Sequence, residues 1–146
     1  MRSEETLEAL AQVDRGLMET RLKHLMELRA SNDLTGMLDY VAEDIVFDAR
    51  GNWMAFPFSG PVKGKAMLAR ALVSISTQFE NLGSTIHDIL IDGERVAIRR
   101  TARLRHRGTS KTADIAIADF VRFREGLVSE VFEFADSSAL ERLGEI

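Results

Sequence analysis

The sequence of 146 residues has no cysteine, two prolines and a single tryptophan. Without cysteine there can be no disulfide framework, thiol nucleophile or thiolate metal site, and the composition suits a reducing, cytoplasmic setting. No apolar run approaches the roughly 18 residues of a membrane span. The N-terminal stretch, rich in Glu, Arg and Asp, is unlike a secretory signal. Positive charge is not in excess either: 19 Lys and Arg stand against 23 Asp and Glu, for a net charge of -4. Nucleic acid and membrane surfaces are therefore not expected partners. The three histidines, His24, His87 and His106, share no metal-ligand spacing, and no glycine-rich phosphate loop is present, so neither a metal nor another cofactor is expected.

What remains is 45% hydrophobic and 29% charged, enough apolar material for one domain over residues 1–146. From Glu4 to Ala30, Leu7, Leu10, Leu17, Met18, Leu25 and Leu28 recur at three- and four-residue spacing, which predicts a long amphipathic helix. Ser31-Asn32-Asp33 ends it and caps a short helix over 34–41. A strand follows over 45–49. The stretch 50–64 holds both prolines, three glycines, Trp53, Met54, Phe56 and Phe58, and reads as an apolar loop that forms a lid or pocket wall. A second long helix covers 65–78. Beyond Gly83 the pattern changes to four antiparallel strands at 84–91, 94–107, 112–124 and 127–135, punctuated by Asp92-Gly93, Gly108 to Lys111 and Glu125-Gly126. A short helix over 137–143, capped by Asp136, completes an α+β order of α-α-β-α-β-β-β-β-α.

Three segments carry a resemblance. They are Asn32-Asp33-Leu34 through Tyr40-Val41-Ala42-Glu43-Asp44-Ile45-Val46-Phe47; Phe58-Ser59-Gly60-Pro61-Val62-Lys63-Gly64-Lys65; and Phe123-Arg124-Glu125-Gly126-Leu127-Val128 through Glu133-Phe134-Ala135-Asp136. In this order and spacing the chain resembles the SnoaL-like group of the nuclear-transport-factor-2-like superfamily, which includes ketosteroid isomerases, polyketide cyclases and limonene-epoxide hydrolases. The resemblance implies a cone-shaped, strongly curved antiparallel sheet wrapped around the long N-terminal helix. It also implies a deep, mostly apolar pocket, and a homodimer with sheets back to back. Ala118-Asp119-Phe120-Val121-Arg122-Phe123 is similar to the isomerase segment that holds a protonated aspartic acid, which places that acid at Asp119. The isomerase base position falls on Ala49, with Asp48 one residue away and facing the other side unless a bulge turns it inward, and its tyrosine falls near Leu25. The epoxide-hydrolase Arg-x-Asp reads Arg100-Thr101-Ala102 here, and its last-strand aspartate reads Glu133.

The residues support several of these positions independently. Alternation puts Asp119 on one face with Ile115, Ile117, Val121 and Phe123, where a carboxyl group is desolvated and its pKa rises. It is either an acid–base group or a structural partner of Arg100. Arg100 shares its face with Val96, Ile98, Ala102 and Leu104, and an arginine there requires a carboxylate or an anionic ligand. Glu133, in phase with Val131, is either the third member of this cluster or a solvated strand-end acid. Arg99, Arg103, Arg105 and Arg107 form a basic stripe opposite Arg100, without the interleaved aromatics that single-stranded nucleic acid needs.

The expected site therefore has Asp119, Arg100 and Glu133 as its chemical groups. Phe47, Trp53, Phe56, Leu72, Ile117, Val121 and Val131 are expected to line a pocket for a small apolar, largely neutral molecule. The expected activity is proton transfer or hydration on a carbonyl-bearing or cyclic compound by an isomerase, cyclase or hydrolase without a cofactor. The alternative is a non-catalytic ligand-binding or dimerisation module that lacks the acids at Ala49 and Ala102. Ala116, Ala118 and Phe120 alternate to the outer face, where a homodimer interface is expected.

Overall fold

The computed structural model describes residues 4–51 and 60–146, with side chains from residue 15 onward. Trp53 and Phe56, expected in the pocket wall, lie outside the described residues, as do Met54 and Phe58. Helix α1 (Glu4–Ala30) is followed by α2 (Leu34–Leu38), whose N-terminus is capped by the Asp33 side chain accepting the Gly36 amide at 2.9 Å. Asn32 turns the chain between them with φ of 59°, a left-handed conformation that asparagine tolerates better than most residues. Strands β1 (Val41–Arg50) and β2 (Gly60–Lys63) precede α3 (Lys65–Gln78). Four strands then run in succession, β3 (Phe79–Asp92), β4 (Arg95–His106), β5 (Thr112–Arg124) and β6 (Leu127–Ala135), before α4 (Ser137–Leu143). At the β5–β6 hairpin Glu125 and Gly126 both take positive φ, 52° and 78°, the pair required by a two-residue turn that matches strand twist.

The six strands form one sheet in the order β2-β1-β6-β5-β4-β3. Every pair is antiparallel except β1 with β6, which run parallel. The sheet is thus mostly antiparallel and open, with β2 and β3 at its edges. Register shifts interrupt β1, the β5–β6 pair and β3 at two places, and such bulges bend and twist a sheet. The curved inner face packs on the helices.

Four details depart from expectation: α2 ends at Leu38 instead of residue 41, β1 begins at Val41 instead of residue 45, and two concern later elements. The glycine–proline stretch is not loop throughout, since Gly60 to Lys63 adds a strand against β1, with Pro61 opposite Asp48. Proline is compatible with a strand at a sheet edge, where its missing N–H need not serve a neighbour. Strand β3 begins at Phe79 instead of residue 84: Phe79 is already extended and pairs with His106.

Alternation does hold in β5, where Ile115, Ile117, Asp119, Val121 and Phe123 are buried and Ala116 and Phe120 exposed. In α1 the buried stripe is Met18 and Leu22, with Leu25 and Met26 packed against it, whereas Leu17 is exposed. The inner apolar residues form two clusters. One joins α1 and α3 to β1, β4 and β5 through Leu22, Ile45, Leu68, Ile98 and Val121, among others. The other gathers Phe79, Ala102, Ile115 and Ile117 under α4 residues Leu140 and Leu143. Among the described residues no helix is long and apolar enough to cross a membrane.

Candidate functional site

Between the two apolar clusters runs a row of charge. Asp119 lies opposite Glu133 on β6 and Ile98 on β4. Arg100, opposite Ile117, is thereby diagonal to Asp119, a separation that a long side chain bridges. Its Nε donates to Asp119 Oδ2 at 2.6 Å, Nη1 to Ser84 Oγ at 2.9 Å and Nη2 to Glu133 Oε2 at 3.3 Å. Arg29, from the last turn of α1, donates from Nη1 to the same Glu133 oxygen at 3.1 Å. Arg100, Asp119 and Glu133 are 3%, 5% and 5% exposed. Every donor nitrogen of Arg100 is thus engaged, but among the described residues Asp119 Oδ1 is buried with no hydrogen-bond partner.

The two carboxyl groups diverge in acidity for identifiable reasons. Burial raises the Asp119 pKa, the neighbouring Glu133 charge raises it further, and the Arg100 and Arg29 charges only partly reverse this, leaving it at about 6. Burial also acts to raise the pKa of Glu133, but the charges of Arg29 and Arg100 outweigh it and hold that carboxyl below its ordinary value. One acid is therefore kept ionised while the other can take up a proton near neutrality.

The charged row adjoins two hollows. An outer cavity of about 270 Å³ has apolar walls that include Leu72, Ile75, Ile115, Ile117 and Leu140, and the exposed Asn32 and Arg107 at its rim. An inner cavity of about 100 Å³ is walled by Leu22, Ile45, Phe47, Val121 and Val131, together with Asp119. Arg29, Leu72, Asn81, Arg100 and Glu133 belong to both walls. Of the residues expected to line the pocket, Phe47, Val121 and Val131 thus lie on the inner cavity, Ile117 on the outer, and Leu72 on both.

A family model described as a SnoaL-like domain matches residues 22–131. The chain belongs to the SnoaL-like domain family. No curated protein matches this SnoaL-like chain in sequence. Among solved structures, an NTF2-like protein from Burkholderia xenovorans is 26% identical, with 89% of this chain and 97% of that one covered at a TM-score of 0.72. An NTF2-like protein of unknown function from Burkholderia pseudomallei is 17% identical over 87% of this chain and 96% of its own, at a TM-score of 0.76. A protein with a ketosteroid isomerase-like fold from Catenulispora acidiphila is 11% identical, covering 77% and 82%, at a TM-score of 0.66.

Within this SnoaL-like domain, Ala49 aligns with Glu133 across β1 and β6, and Ala102 lines the outer cavity; both are buried. Asp48 aligns instead with Phe132, on the opposite face, where it is also buried, its Oδ2 accepting from Arg50 at 2.7 Å and its Oδ1 without a hydrogen-bond partner among the described residues. Pairing of β1 with β6 is continuous from Val46 to Arg50, so no bulge brings Asp48 inward. Among the described residues no cluster of three potential metal-ligating His, Asp or Glu side chains occurs.

Arg29 is the member of the row that sequence reasoning missed. A signal for it exists in the sequence: positions 18, 22, 25 and 29 follow one helical stripe, and an arginine ending an apolar stripe that reaches the core needs a buried acid.

Proposed function

We propose that this domain is a cofactor-independent acid–base enzyme acting on an apolar, carbonyl-bearing compound, with Asp119 carrying the proton. The observation that supports this reading is that Asp119 lines the inner cavity with Oδ2 fixed by Arg100 and Oδ1 buried without a hydrogen-bond partner among the described residues. A carboxyl group with a pKa of about 6 exchanges protons efficiently near neutral pH. As carboxylate, Asp119 removes a proton from the carbon beside the carbonyl. The electron pair shifts into a new C=C bond as the carbonyl oxygen takes up negative charge. The protonated Asp119 then returns the proton to the same or a conjugated carbon, and the carbonyl re-forms. Arg100 and Glu133 position Asp119 throughout. The apolar walls fit a small apolar molecule, and the cysteine-free composition fits the cytoplasm.

The direct test is deuterium incorporation from D₂O into a panel of cyclic β,γ-unsaturated ketones, followed by NMR. Exchange at the carbon next to the carbonyl is expected for the natural protein and is expected to be lost in Asp119→Asn. Exchange that survives that substitution removes Asp119 from the chemistry. Ligand binding without exchange favours the non-catalytic ligand module, to which the methyl groups of Ala49 and Ala102 would then be the clue.

A further inference from the structure

The outer cavity has a charge pattern that its apolar walls do not explain. Three guanidinium groups line it: those of Arg29, Arg100 and Arg107. Arg29 and Arg100 are matched by Glu133 and Asp119 in the buried row. Glu80, which also contributes to the lining, is paired at 3.1 Å with Arg105. Arg107 is left over. Its Nε donates to the Ser76 carbonyl oxygen at 2.7 Å at the end of α3, which anchors the side chain. Among the described residues it has no carboxylate within ion-pair distance. Ser76, Asn81 and Asn32 add polar groups to the same wall.

We propose that the ligand of this site is an amphipathic monoanion, with an apolar body in the outer cavity and a carboxylate-type group at the rim held by Arg107. This rests on the cavities being the ligand site proposed above and adds an orientation: the charged end faces solvent and the reacting end points toward Asp119. A guanidinium whose Nη groups have no partner among the described residues and whose Nε is anchored suits a carboxylate, which it can engage through two parallel hydrogen bonds. A ligand bound this way presents its uncharged end to the inner cavity, where the guanidinium groups of Arg29 and Arg100 are already matched by Glu133 and Asp119 and none is left for a second anion.

Two dyes with one ring skeleton test this: N-phenylnaphthylamine, which is uncharged, and anilinonaphthalenesulfonate, which adds one anion. Fluorescence titration of the full chain at low salt should show the sulfonate binding roughly tenfold more tightly, the gain of one charge-assisted contact. In Arg107→Gln the two dyes should bind within about twofold of each other, and Arg107→Lys should retain most of the preference. Arg107 is exposed, so these variants are expected to fold. Phe120→Ser, on the opposite face of the sheet, should leave both affinities unchanged. Equal affinities in the natural protein, or a preference that persists in Arg107→Gln, overturn this inference while leaving the cavity reading intact. Loss of sulfonate binding in Phe120→Ser places the dye on the outer face and also overturns it. Binding of neither dye removes the cavity reading, and this inference with it.

Discussion

Replacing Asp119 by asparagine keeps the shape of the side chain and removes its titration, so the pH dependence of stability should report the state of this one group. The ordinary pKa of 3.8 is raised to about 6 in the folded protein. A raised carboxyl pKa means the folded state holds the proton more tightly than the unfolded chain does. The resulting stabilisation is complete below about pH 4, diminishes as pH rises, and is gone above about pH 6. At about 1.4 kcal/mol per pH unit the full difference is about 3 kcal/mol. About 2 kcal/mol of it falls between roughly pH 4.5 and 7.5. The asparagine side chain has no such dependence, so the stability of Asp119→Asn relative to the natural protein should rise by that amount across this range and then level off. Glu133 interacts with Asp119, but its pKa is depressed, so it loses its proton below this range and leaves the slope to Asp119. Any constant offset from the altered contact with Arg100 does not affect the slope. Urea unfolding followed by far-ultraviolet circular dichroism at a series of pH values measures the difference. A flat difference, or one that falls with pH, would show Asp119 to be an ordinary ionised partner of Arg100 and would refute the reasoning.

Glu133→Gln removes a negative neighbour that raises the Asp119 pKa, so carboxyl carbon NMR should show Asp119 titrating below about 6. Arg100→Met leaves two buried acids without their shared partner and should cost about 3–5 kcal/mol in urea unfolding at neutral pH. Ile115→Ala, at a position with 0% exposure, should cost about 2–5 kcal/mol by the same measurement. A homodimer is expected through the outer face, where Phe120 and Phe134 are about half exposed and their rings lie 6.0 Å apart. Sedimentation at micromolar concentration should show Phe120→Arg as a monomer.

Local pattern accounts for what could be read in advance. Asp119 and Arg100 each sit among apolar residues of matching parity in β5 and β4, so two-residue alternation alone predicts their burial. The turns at Gly93 and at Glu125-Gly126 are written in short polar and glycine signals. Contacts between distant segments leave no comparable trace. Nothing near Val46 announces a parallel partner in β6, and nothing near Pro61 announces the edge of β1. Arg29 escapes because the stripe read for α1 spreads from Met18 and Leu25 to the exposed Leu17 and leaves out Leu22; centring it on Met18, Leu22 and Leu25 brings Arg29 to Glu133. The two-cavity arrangement depends on side-chain volumes from both ends of the chain and has no single motif.

The parallel pairing of β1 with β6 also orders events during synthesis. Strand β1 leaves the ribosome well before its central partner β6, so until then it has only β2 beside it. Closing so distant a pair is entropically slow. The same strand β6 delivers Glu133, and until it docks Arg29 and Arg100 lack their common acceptor. The charged row therefore cannot be complete before β6 docks, and a chain that stops before β6 has neither a complete sheet nor a site.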